Sequence, residues 1–509
     1  MDNEGLFPGA DLSSSPREKK EEKKIPRLRK IDRRQMVLHP VEIEHLIPGD
    51  HEVRAIWEIV GSLDLSLYHH HIGALEGKAG APAFDPRLLV SIWVYSYSRS
   101  INSSREIAKL TEYDPAYQWL TGMRPVNYHT LADFRSSYGE SLRHLYAQIL
   151  ATLSYEGIIT MERVMHDGTK IRAFAADRTF RREKTLRKLL AQAEAHVKAM
   201  EETSEEEMSL RRKKAKERAQ SERKERLSRA LEELKKITPR TKGTEARASS
   251  TDPQCRIMKQ PGGSYAPCYN LQVSTDAHEK AIVALSLSPS ANDRILLPRA
   301  LEVIEETTGT LPRELVVDQG FTSRANVLDA DEKGIDLIGP MPPPSAGKIT
   351  TLRMRGITED FSPDKFLFDP ERNGMICPQG KLLPFRFKRL KRGKTLYHYQ
   401  GKECITCPSK SSCSPTSRKG RVVYRLENDP KITAYLAKME TPEAKKIYKQ
   451  RAEVAEFPNL WIKEKFGLRR FRLKGLVKAE MEARWACLTY NIKLWIRLCW
   501  KPRLTTQMG

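Results

Sequence analysis

The sequence predicts an α/β protein with a helical N-terminal region and two insertions in its core. Before about residue 155, apolar residues recur at helical spacing. From about residue 158, β-rich runs alternate with a helical stretch, which is typical of an α/β core. A charged segment and a cysteine-bearing segment then interrupt this pattern.

The composition indicates a folded protein with an anionic partner. The chain has 509 residues, 39% of them hydrophobic, so it can bury a sizeable core. Its formal net charge of +23 favours DNA or RNA as a partner, because Lys and Arg displace phosphate counterions. Charge that serves solubility alone is the alternative. We see no apolar signal segment and no run near the ~20 apolar residues of a membrane span. We therefore expect a cytoplasmic, nucleoid-associated protein without a membrane partner, whose cysteines are reduced thiols or metal ligands.

The N-terminal part is expected to hold a tail and a helical domain. Residues 1–35 are polar and basic, which predicts a disordered tail. Residues 36–155 predict helices, with Ser104 and Thr130 as N-caps. The segment PVNYHTLADFRSSYGESLRHLYAQILATL predicts a short helix, a turn and a long helix. A DNA-binding helix-turn-helix and an ordinary helical bundle both fit this pattern.

Several β-rich runs predict the core strands. GIITMERVMHDGTKIRAFA predicts two strands joined by a tight turn at Asp167-Gly168, so that Asp167 ends the first strand. Later runs predict two strands joined at residues 277–279 and a helix that ends at Gly309. Leu315–Val317 predict a short buried strand with Asp318 at its C-terminal end.

Two more segments predict helices. The charged stretch between the core strands has leucines spaced by three and four residues, which predicts a helical hairpin or a coiled coil. The run Trp485 to Trp500, interrupted by Lys493 and Arg497, predicts an amphipathic helix.

Three carboxylates stand where metal-dependent chemistry could use them: Asp167, Asp318 and a helical Glu456. Cleavage of a phosphodiester by water is served by two Mg²⁺ ions, which prefer carboxylate oxygens. Strand ends and a helix can converge at a sheet edge. Taken singly, each residue has an ordinary explanation, such as turn chemistry for an Asp before Gly. Asn292-Asp293 is expected to cap the following helix, although a supporting role near the metals stays open.

Residues around these carboxylates resemble a known family. Tyr448, Arg451, Glu456 and Lys463 look like the Tyr-Arg-Glu-Lys signature of bacterial insertion-sequence DDE transposases, in a multi-cysteine branch. HDGTKIRAFA, CYNLQVSTDAH, SANDRILLPRALE and VVDQGF look like the regions around that family's two Asp residues, and FGLRRFRLKGLVKAEMEARWACLTYNIK resembles its C-terminal region. The resemblance covers roughly residues 36–500.

The resemblance implies a ribonuclease H-like core and a role for each matched residue. Asp167, Asp318 and Glu456 would hold two Mg²⁺ ions, with Mn²⁺ as a substitute. Tyr448, Arg451 and Lys463 would contact DNA. Metal-activated water would cleave the end of a mobile element, and the freed 3′-hydroxyl would attack another phosphodiester. The implied partners are double-stranded DNA, both element ends and target, and a second copy of the chain in the synaptic complex.

One departure concerns the third carboxylate. The usual spacing after Arg451 would land on Ala455, whereas Glu456 lies one residue later. The spacing from Glu456 to Lys463 fits the signature, but Glu453 would pair with Leu460. We therefore favour Glu456 and keep Glu453 as the competitor.

Four cysteines and two basic clusters complete the candidate sites. Cys377, Cys404, Cys407 and Cys413 match the thiolate set of a structural Zn²⁺ site, with free thiols as the alternative. Basic residues interleaved with phenylalanines occupy 381–394 and 463–478 and could bind phosphates and unpaired bases. A solvated charged face is the alternative. In the second cluster, which follows the proposed catalytic helix, we assign Arg469 and Arg470 to DNA binding.

The expected organisation has seven parts. They are a disordered basic tail (1–35), a helical DNA-binding domain (36–155), the first part of the core (156–180), a charged helical insertion (181–250), the second part of the core (251–345), a cysteine-rich insertion (346–430) and a catalytic helix with core completion (431–509). An active transposase is the favoured hypothesis. A catalytically inactive zinc-containing DNA-binding protein and a nuclease that does not transfer strands are the alternatives.

Overall fold

The computed structural model describes residues 36, 40–70, 72–74, 82–201, 210–237, 245–260, 262–342, 349–391, 394–426 and 429–508. The tail that the sequence predicts to be disordered lies outside these residues. The described residues from Ile43 onward belong to one unit, and the elements below are its parts.

The N-terminal region is helical, as predicted. It contains α1 (Glu52–Gly61), α2 (Ser66–His69), α3 (Pro86–Ser98), α4 (Ser104–Tyr113), α5 (Pro115–Thr121), α6 (Tyr128–Ser137) and α7 (Gly139–Tyr155). Asp85 and Asp114 cap α3 and α5, and each is followed by a proline that has the right φ for the first helical turn.

Both predicted N-caps in this region are wrong. Thr130 lies inside α6, whose cap is Asn127, because the Asn127 side chain accepts the Thr130 backbone N–H. Ser104 is the first residue of α4, and Ser103 occupies its cap position. In each case the helix begins earlier than the hydroxyl residue suggests.

The next elements form a mixed sheet with helices. They are β1 (Arg163–Arg172), β2 (Phe180–Arg181), α8 (Glu183–Glu201), α9 (Leu210–Lys236), β3 (Ala248–Ser249), β4 (Arg256–Lys259), β5 (Tyr265–Asp276), β6 (Ile282–Ser288), α10 (Leu297–Thr308), β7 (Glu314–Val317), α11 (Arg324–Glu332) and β8 (Asp336–Ile338). The main sheet runs in the order β4-β5-β1-β7-β8, and β6 also pairs with β5. β1 is antiparallel to β5 but parallel to β7, which is parallel to β8.

The charged insertion between the core strands consists of α8 and α9, which pack against each other. Leu186 and Ala193 of α8 meet Leu227, Ala230 and Leu234 of α9 in a small apolar cluster. The pairing of early α8 with late α9 residues makes the two helices antiparallel.

The cysteine-bearing region is more regular than its predicted loops. It contains α12 (Ile349–Met354), β9 (Leu367–Asp369), β10 (Gly374–Ile376), β11 (Leu382–Lys391), β12 (Lys394–Gln400), α13 (Lys410–Cys413) and β13 (Val422–Leu426). Its strands form a separate antiparallel sheet in the order β13-β12-β11-β10-β9. A buried cluster around Leu383 and Tyr399 stabilises this sheet.

The C-terminal part is helical. It comprises α14 (Pro430–Glu440), α15 (Pro442–Leu460), a π-helical turn (Trp461–Lys465), α16 (Leu476–Trp495), a second π-helical turn (Ile496–Trp500) and α17 (Lys501–Met508). The amphipathic prediction for Trp485 to Trp500 is wrong, because α16 is buried on nearly every side. It packs against α3 and α7 as well as β6 and so joins the N-terminal helices to the core sheet. Among the described residues, no helix is both long and apolar enough to cross a membrane.

Candidate active site

Asp167 lies within β1, not at a strand end as predicted. β1 is one continuous strand through Asp167 and Gly168, and it hydrogen-bonds to β5 on one side and β7 on the other. The ladder with β5 runs through both residues and outweighs the turn preference of an Asp-Gly pair, because a turn would leave buried strand groups unpaired. Gly168 is needed here for space: an added Cβ would lie 2.5 Å from Gln272 Nε2 and 2.9 Å from Asp293 Oδ1.

The sheet register brings Asp318 beside Asp167. Val317 ends β7 as predicted and stands opposite His166 in the parallel ladder, so the next residues of both strands are neighbours. Asp318 Oδ1 accepts the Gly320 backbone N–H at 2.7 Å, which fixes the turn after the strand. Two of the predicted carboxylates therefore lie side by side on adjacent strands.

One face of α15 and its π-helical continuation packs over Asp167. Arg451 Nη1 lies 3.6 Å from Asp167 Oδ1, and Asn459 donates its side-chain N–H to Asp167 Oδ2 at 3.3 Å. Lys463, in the π-helical turn, is also close: burial lowers the pKa of its ammonium, and the nearby Asp167 opposes that shift. Asp167 thus faces two cations and an amide from one helical segment.

The predicted third carboxylate is exposed on α15. Glu456 precedes Asn459 by three positions, about one turn, so the two side chains share a face of the helix. Ala455, which has the usual spacing after Arg451, points into a buried apolar cluster with Met165 and Val316. Glu456 therefore lies one helical turn from Asn459, the residue that contacts Asp167.

The competing carboxylate, Glu453, is used elsewhere. Its Oε1 pairs with Lys280 Nζ at 2.7 Å, and this partner lowers the pKa of the Glu453 carboxyl. It lies about 120° around the helix axis from Asn459. The sequence left this choice open, and Glu456 stays our prediction, because Glu453 is paired with Lys280.

Burial sets the electrostatics of Asp167. Its side chain is 19% exposed, and loss of hydration raises the pKa of this carboxyl to about 6. Arg451 and the Gly168 N–H oppose the shift, whereas Asp318 and Asp293 add to it by like-charge repulsion. The raised pKa indicates that the surroundings of Asp167 disfavour its ionised form. A nearby cation would favour that form.

Behind Gly168 lies a polar network that the sequence did not predict as part of the site. His166 is buried, burial lowers its pKa to about 4, and its Nε2 is 2.9 Å from Gln272 Oε1. Gln272 and Asn270 both donate side-chain N–H groups to Asp293 Oδ1, at 3.3 and 2.7 Å. Asn292 caps the 3₁₀ turn Asp293–Ile295, whereas the helix that follows, α10, has Leu296 at its cap position and no side-chain cap, so the capping prediction is wrong for that helix.

Among the other predicted residues, Arg469 and Arg470 lie in an exposed loop from Gly467 to Gly475, here called the basic loop. Arg470 forms a parallel backbone bridge with Arg172 at the end of β1, and the Phe471 N–H donates to Arg172 O at 2.9 Å. Arg469 pairs with Glu464.

Two carboxylates fix the backbone of the basic loop by accepting hydrogen bonds from its N–H groups. Buried Glu482 accepts the Arg472 and Leu473 N–H groups at 2.9 and 3.0 Å. Asp252 accepts the Gly475 N–H at 3.2 Å. The loop therefore presents its basic side chains from a fixed backbone next to β1.

Tyr448 is half-buried on α15. It packs against the cluster around Met165, and the guanidinium of Arg451 lies 5.9 Å from the centre of its ring. The Tyr448 ring thus lies beside the guanidinium of Arg451, which faces Asp167.

The four predicted zinc ligands come together at one end of the second sheet. Cys377 follows β10, Cys413 ends α13, and Cys404 and Cys407 lie between β12 and α13. Burial raises the pKa of the Cys413 thiol to about 11, and the other three thiols are close enough to raise it further. The Lys381 N–H donates to Cys377 Sγ at 3.3 Å.

Neither set of residues stands at ligand distances as it is. Among the described residues, no group of three or more His, Cys, Asp or Glu side chains could hold a metal ion. At the carboxylate site, the positively charged guanidinium of Arg451 faces Asp167.

Comparisons with known proteins define the class. A family model described as a transposase DDE domain matches residues 376–496, and a second, described as a transposase domain (DUF772), matches residues 41–137. Together these matches indicate a transposase of the DDE type, which confirms the predicted resemblance at that level.

A search of solved structures found the piggyBac transposase in a synaptic complex with hairpin DNA. The sequence identity is 8%, the alignment covers 87% of this chain and 73% of that chain, and the TM-score is 0.30. No curated protein matches the chain.

Proposed function

We propose that this chain is the DNA transposase of a bacterial insertion sequence, and that it cuts the element's ends and joins them to target DNA. The observation that carries the proposal is that Asp167 lies in β1 and Asp318 directly follows the neighbouring parallel strand β7, while α15, which carries Glu456, packs over Asp167. The transposase family matches support the class of reaction.

The order and direction of the strands support a ribonuclease H-like core. In chain order, the first three long strands β1, β5 and β6 are antiparallel neighbours, and β7 and β8 continue the sheet parallel to β1 on its other side. This arrangement places the carboxyl end of β7 beside the middle of β1, where the two aspartates meet.

The donor set fits a hard divalent cation. The candidate ligands are carboxylate oxygens, and beside Asp167 the buried amide oxygen Asn459 Oδ1 accepts no hydrogen bond from the described residues. Asp167, Asp318 and Glu456 would hold Mg²⁺ or Mn²⁺, which when bound would polarise the phosphate and lower the pKa of water.

The remaining groups would bind and orient DNA. Lys463 and Arg451 provide positive charge at the edge of the carboxylates, where a phosphate would approach, and Tyr448 offers an aromatic ring beside Arg451. Arg469 and Arg470 extend this charge along the basic loop, so they would hold the backbone next to the scissile phosphate.

The proposed reaction has two steps. Water hydrolyses a phosphodiester at the element's end, which leaves a 3′-hydroxyl and a 5′-phosphate. That hydroxyl then displaces another 3′-oxygen from a phosphodiester of the target, so one bond forms as one breaks. Joining two ends at one target requires them to be held together, and we propose that a homodimer does this.

An assay on DNA that carries the element's own ends tests the proposal. With Mg²⁺, the purified full-length protein should cut at those ends and join them to a target plasmid, and EDTA should stop both steps. Binding of the ends without cutting would favour the inactive DNA-binding protein. Cutting without joining would favour a nuclease.

We also propose that the four converging cysteines hold one structural Zn²⁺. The Lys381 N–H that donates to Cys377 Sγ supports this, because such a donor stabilises a thiolate. Tight packing around Cys404 supports it too: a Cβ on Gly401 would lie 2.7 Å from Cys404 Sγ. Four thiolates provide a full tetrahedral set, and binding would stabilise a small sheet that has little core of its own.

Zinc analysis of the purified protein should therefore find about one ion per chain. Cys404→Ser should lose that ion and lower the thermal midpoint, because the remaining thiolates cannot close the site. Cys499→Ser, outside the group, is the matched control and should retain zinc. Full zinc content in Cys404→Ser, or none in the wild type, would contradict the site.

A further inference from the structure

The second sheet, β13-β12-β11-β10-β9, has one face that its apolar cluster does not use. Tyr399 belongs to that cluster, and because successive side chains of a strand point to opposite faces, His398 lies on the other face. Phe387 of β11 and Tyr424 of β13 stand opposite His398 in the two ladders. The register therefore places three rings in one row across three neighbouring strands. We call this row and the arginines beside it the ring face (Phe387, His398, Tyr424, Arg386 and Arg389).

The rings contact one another, yet two of them stay open to solvent. The Phe387 and His398 rings are stacked with their centroids 4.4 Å apart, and His398 meets Tyr424 edge to face at 5.1 Å. His398 is buried, whereas Phe387 is 48% and Tyr424 47% exposed. Single exposed rings are common on protein surfaces, but a row of rings held by mutual contact offers a platform on which another flat ring can stack.

Positive charge accompanies the rings. The guanidinium of Arg389 lies 5.7 Å from the centre of the Tyr424 ring. Burial lowers the pKa of His398, and the cations Arg389 and Arg386 lower it further, which places both guanidinium groups near the row. The sequences of β11, β12 and β13 contain Lys and Arg but no Asp or Glu. The partner that suits this face therefore carries negative charge as well as flat rings.

We propose that the ring face binds an unpaired DNA strand, whose bases stack on Phe387 and Tyr424. Arg386 and Arg389 hold the phosphates of that strand. Unpaired bases fit this face better than a duplex, because a duplex offers only the edges of its bases in its grooves. A charged face that serves solubility would explain the arginines but not the exposed rings. The inference rests on the proposed function only in taking DNA rather than RNA as the partner, and it requires no metal.

Binding of a labelled oligo(dT) strand to the full-length protein tests the proposal. It is measured by fluorescence anisotropy in EDTA, so that no cutting occurs. A double variant, Phe387→Leu with Tyr424→Leu, keeps apolar side chains but removes both rings, and it should bind oligo(dT) about tenfold more weakly or worse. Tyr155→Leu removes an exposed ring at the end of α7 and is the matched control, with wild-type affinity expected. Wild-type affinity in the double variant would overturn the proposal.

Other strands and a conservative variant separate stacking from charge and from a structural role. An oligo(dA)·oligo(dT) duplex of the same length should bind the double variant and the wild type alike, and an equal loss for the duplex would overturn the preference for unpaired bases. Phe387→Trp keeps a ring and should retain oligo(dT) binding, whereas a loss there would overturn stacking as the cause.

The choice of DNA and the proposed function are tested independently. Tighter binding of oligo(U) than of oligo(dT) would overturn DNA as the partner of the ring face. Ring-dependent binding of oligo(dT) by a protein that cuts no element ends would refute the transposase activity and retain this surface.

Discussion

Asp167→Asn should abolish end cleavage, with a loss of about 10³-fold or more. Asp167 lies at the centre of the site, next to Asp318 across the parallel ladder and within reach of Arg451 and Asn459. Asparagine keeps the size of the side chain but removes its charge. Because stabilisation of a phosphoryl transition state by a bound cation amounts to several kcal/mol, losing a central ligand removes at least three powers of ten in rate.

The same change should stabilise the fold at neutral pH. The folded-state pKa of about 6 lies above the ordinary value of 3.8, so the native state loses stability as the pH rises from 3.8 to 6. The stability cost of the charge is absent below the unfolded pKa and complete above pH 6. At pH 7.5, Asp167→Asn should therefore gain about 1 to 3 kcal/mol, and the gain should shrink as the pH falls from 6 to 4.

Cleavage kinetics and thermal unfolding of the same preparations decide both points. DNA binding should remain, because Arg469, Arg470 and Lys463 are unchanged. A variant with reduced thermal stability at pH 7.5 would contradict the electrostatic account of Asp167. Cleavage at the wild-type rate would remove Asp167 from the site altogether.

Glu456→Gln and Glu453→Gln should behave differently. Glu456 shares a helix face with Asn459, so its substitution should reduce cleavage by about 10³-fold, as for a metal ligand. Glu453 pairs with Lys280 on another face, so Glu453→Gln should lose only an exposed ion pair and keep its cleavage rate.

Single-turnover cleavage measured side by side gives the answer, because each variant is the control for the other. Equal activity of Glu456→Gln and the wild type would transfer the third carboxylate to Glu453 or to another residue. Loss of activity in both variants would indicate that the substitutions disturb α15 itself. The helicity of the variants would then be compared with that of the wild type.

The sequence predicts much of the fold where local patterns decide it. The apolar run Leu315–Val317 is β7, and Gly309 ends α10 in the left-handed conformation that glycine adopts without strain. The Asp167-Gly168 turn fails because pairing with β5 and β7 decides the conformation of β1, and those strands lie far along the chain. The amphipathic prediction for the Trp485 to Trp500 run fails because α16 is covered by elements on opposite sides, which no local period reveals.

The same distinction between local patterns and long-range packing applies to the residues of the site. Asp167 and Asp318 were predictable because each belongs to a readable β-rich run and a family-like motif. Asn459 was missed because only the packing of α15 on β1 makes it a neighbour of Asp167. Asn270 and Gln272 were missed because only the pairing of β5 with β1 brings them beside Gly168.

The contact of Asn459 with Asp167 joins residues 292 positions apart. At translation rates of about 5 to 20 residues per second, the ribosome would add the later residue roughly 15 to 60 s after the earlier one. During the first part of that interval β1 would lack its parallel partner β7, and until the end of the interval it would lack the complete α15. A nascent chain would therefore carry its N-terminal helices well before it could complete the carboxylate site, so cutting could not begin until α15 had been synthesised.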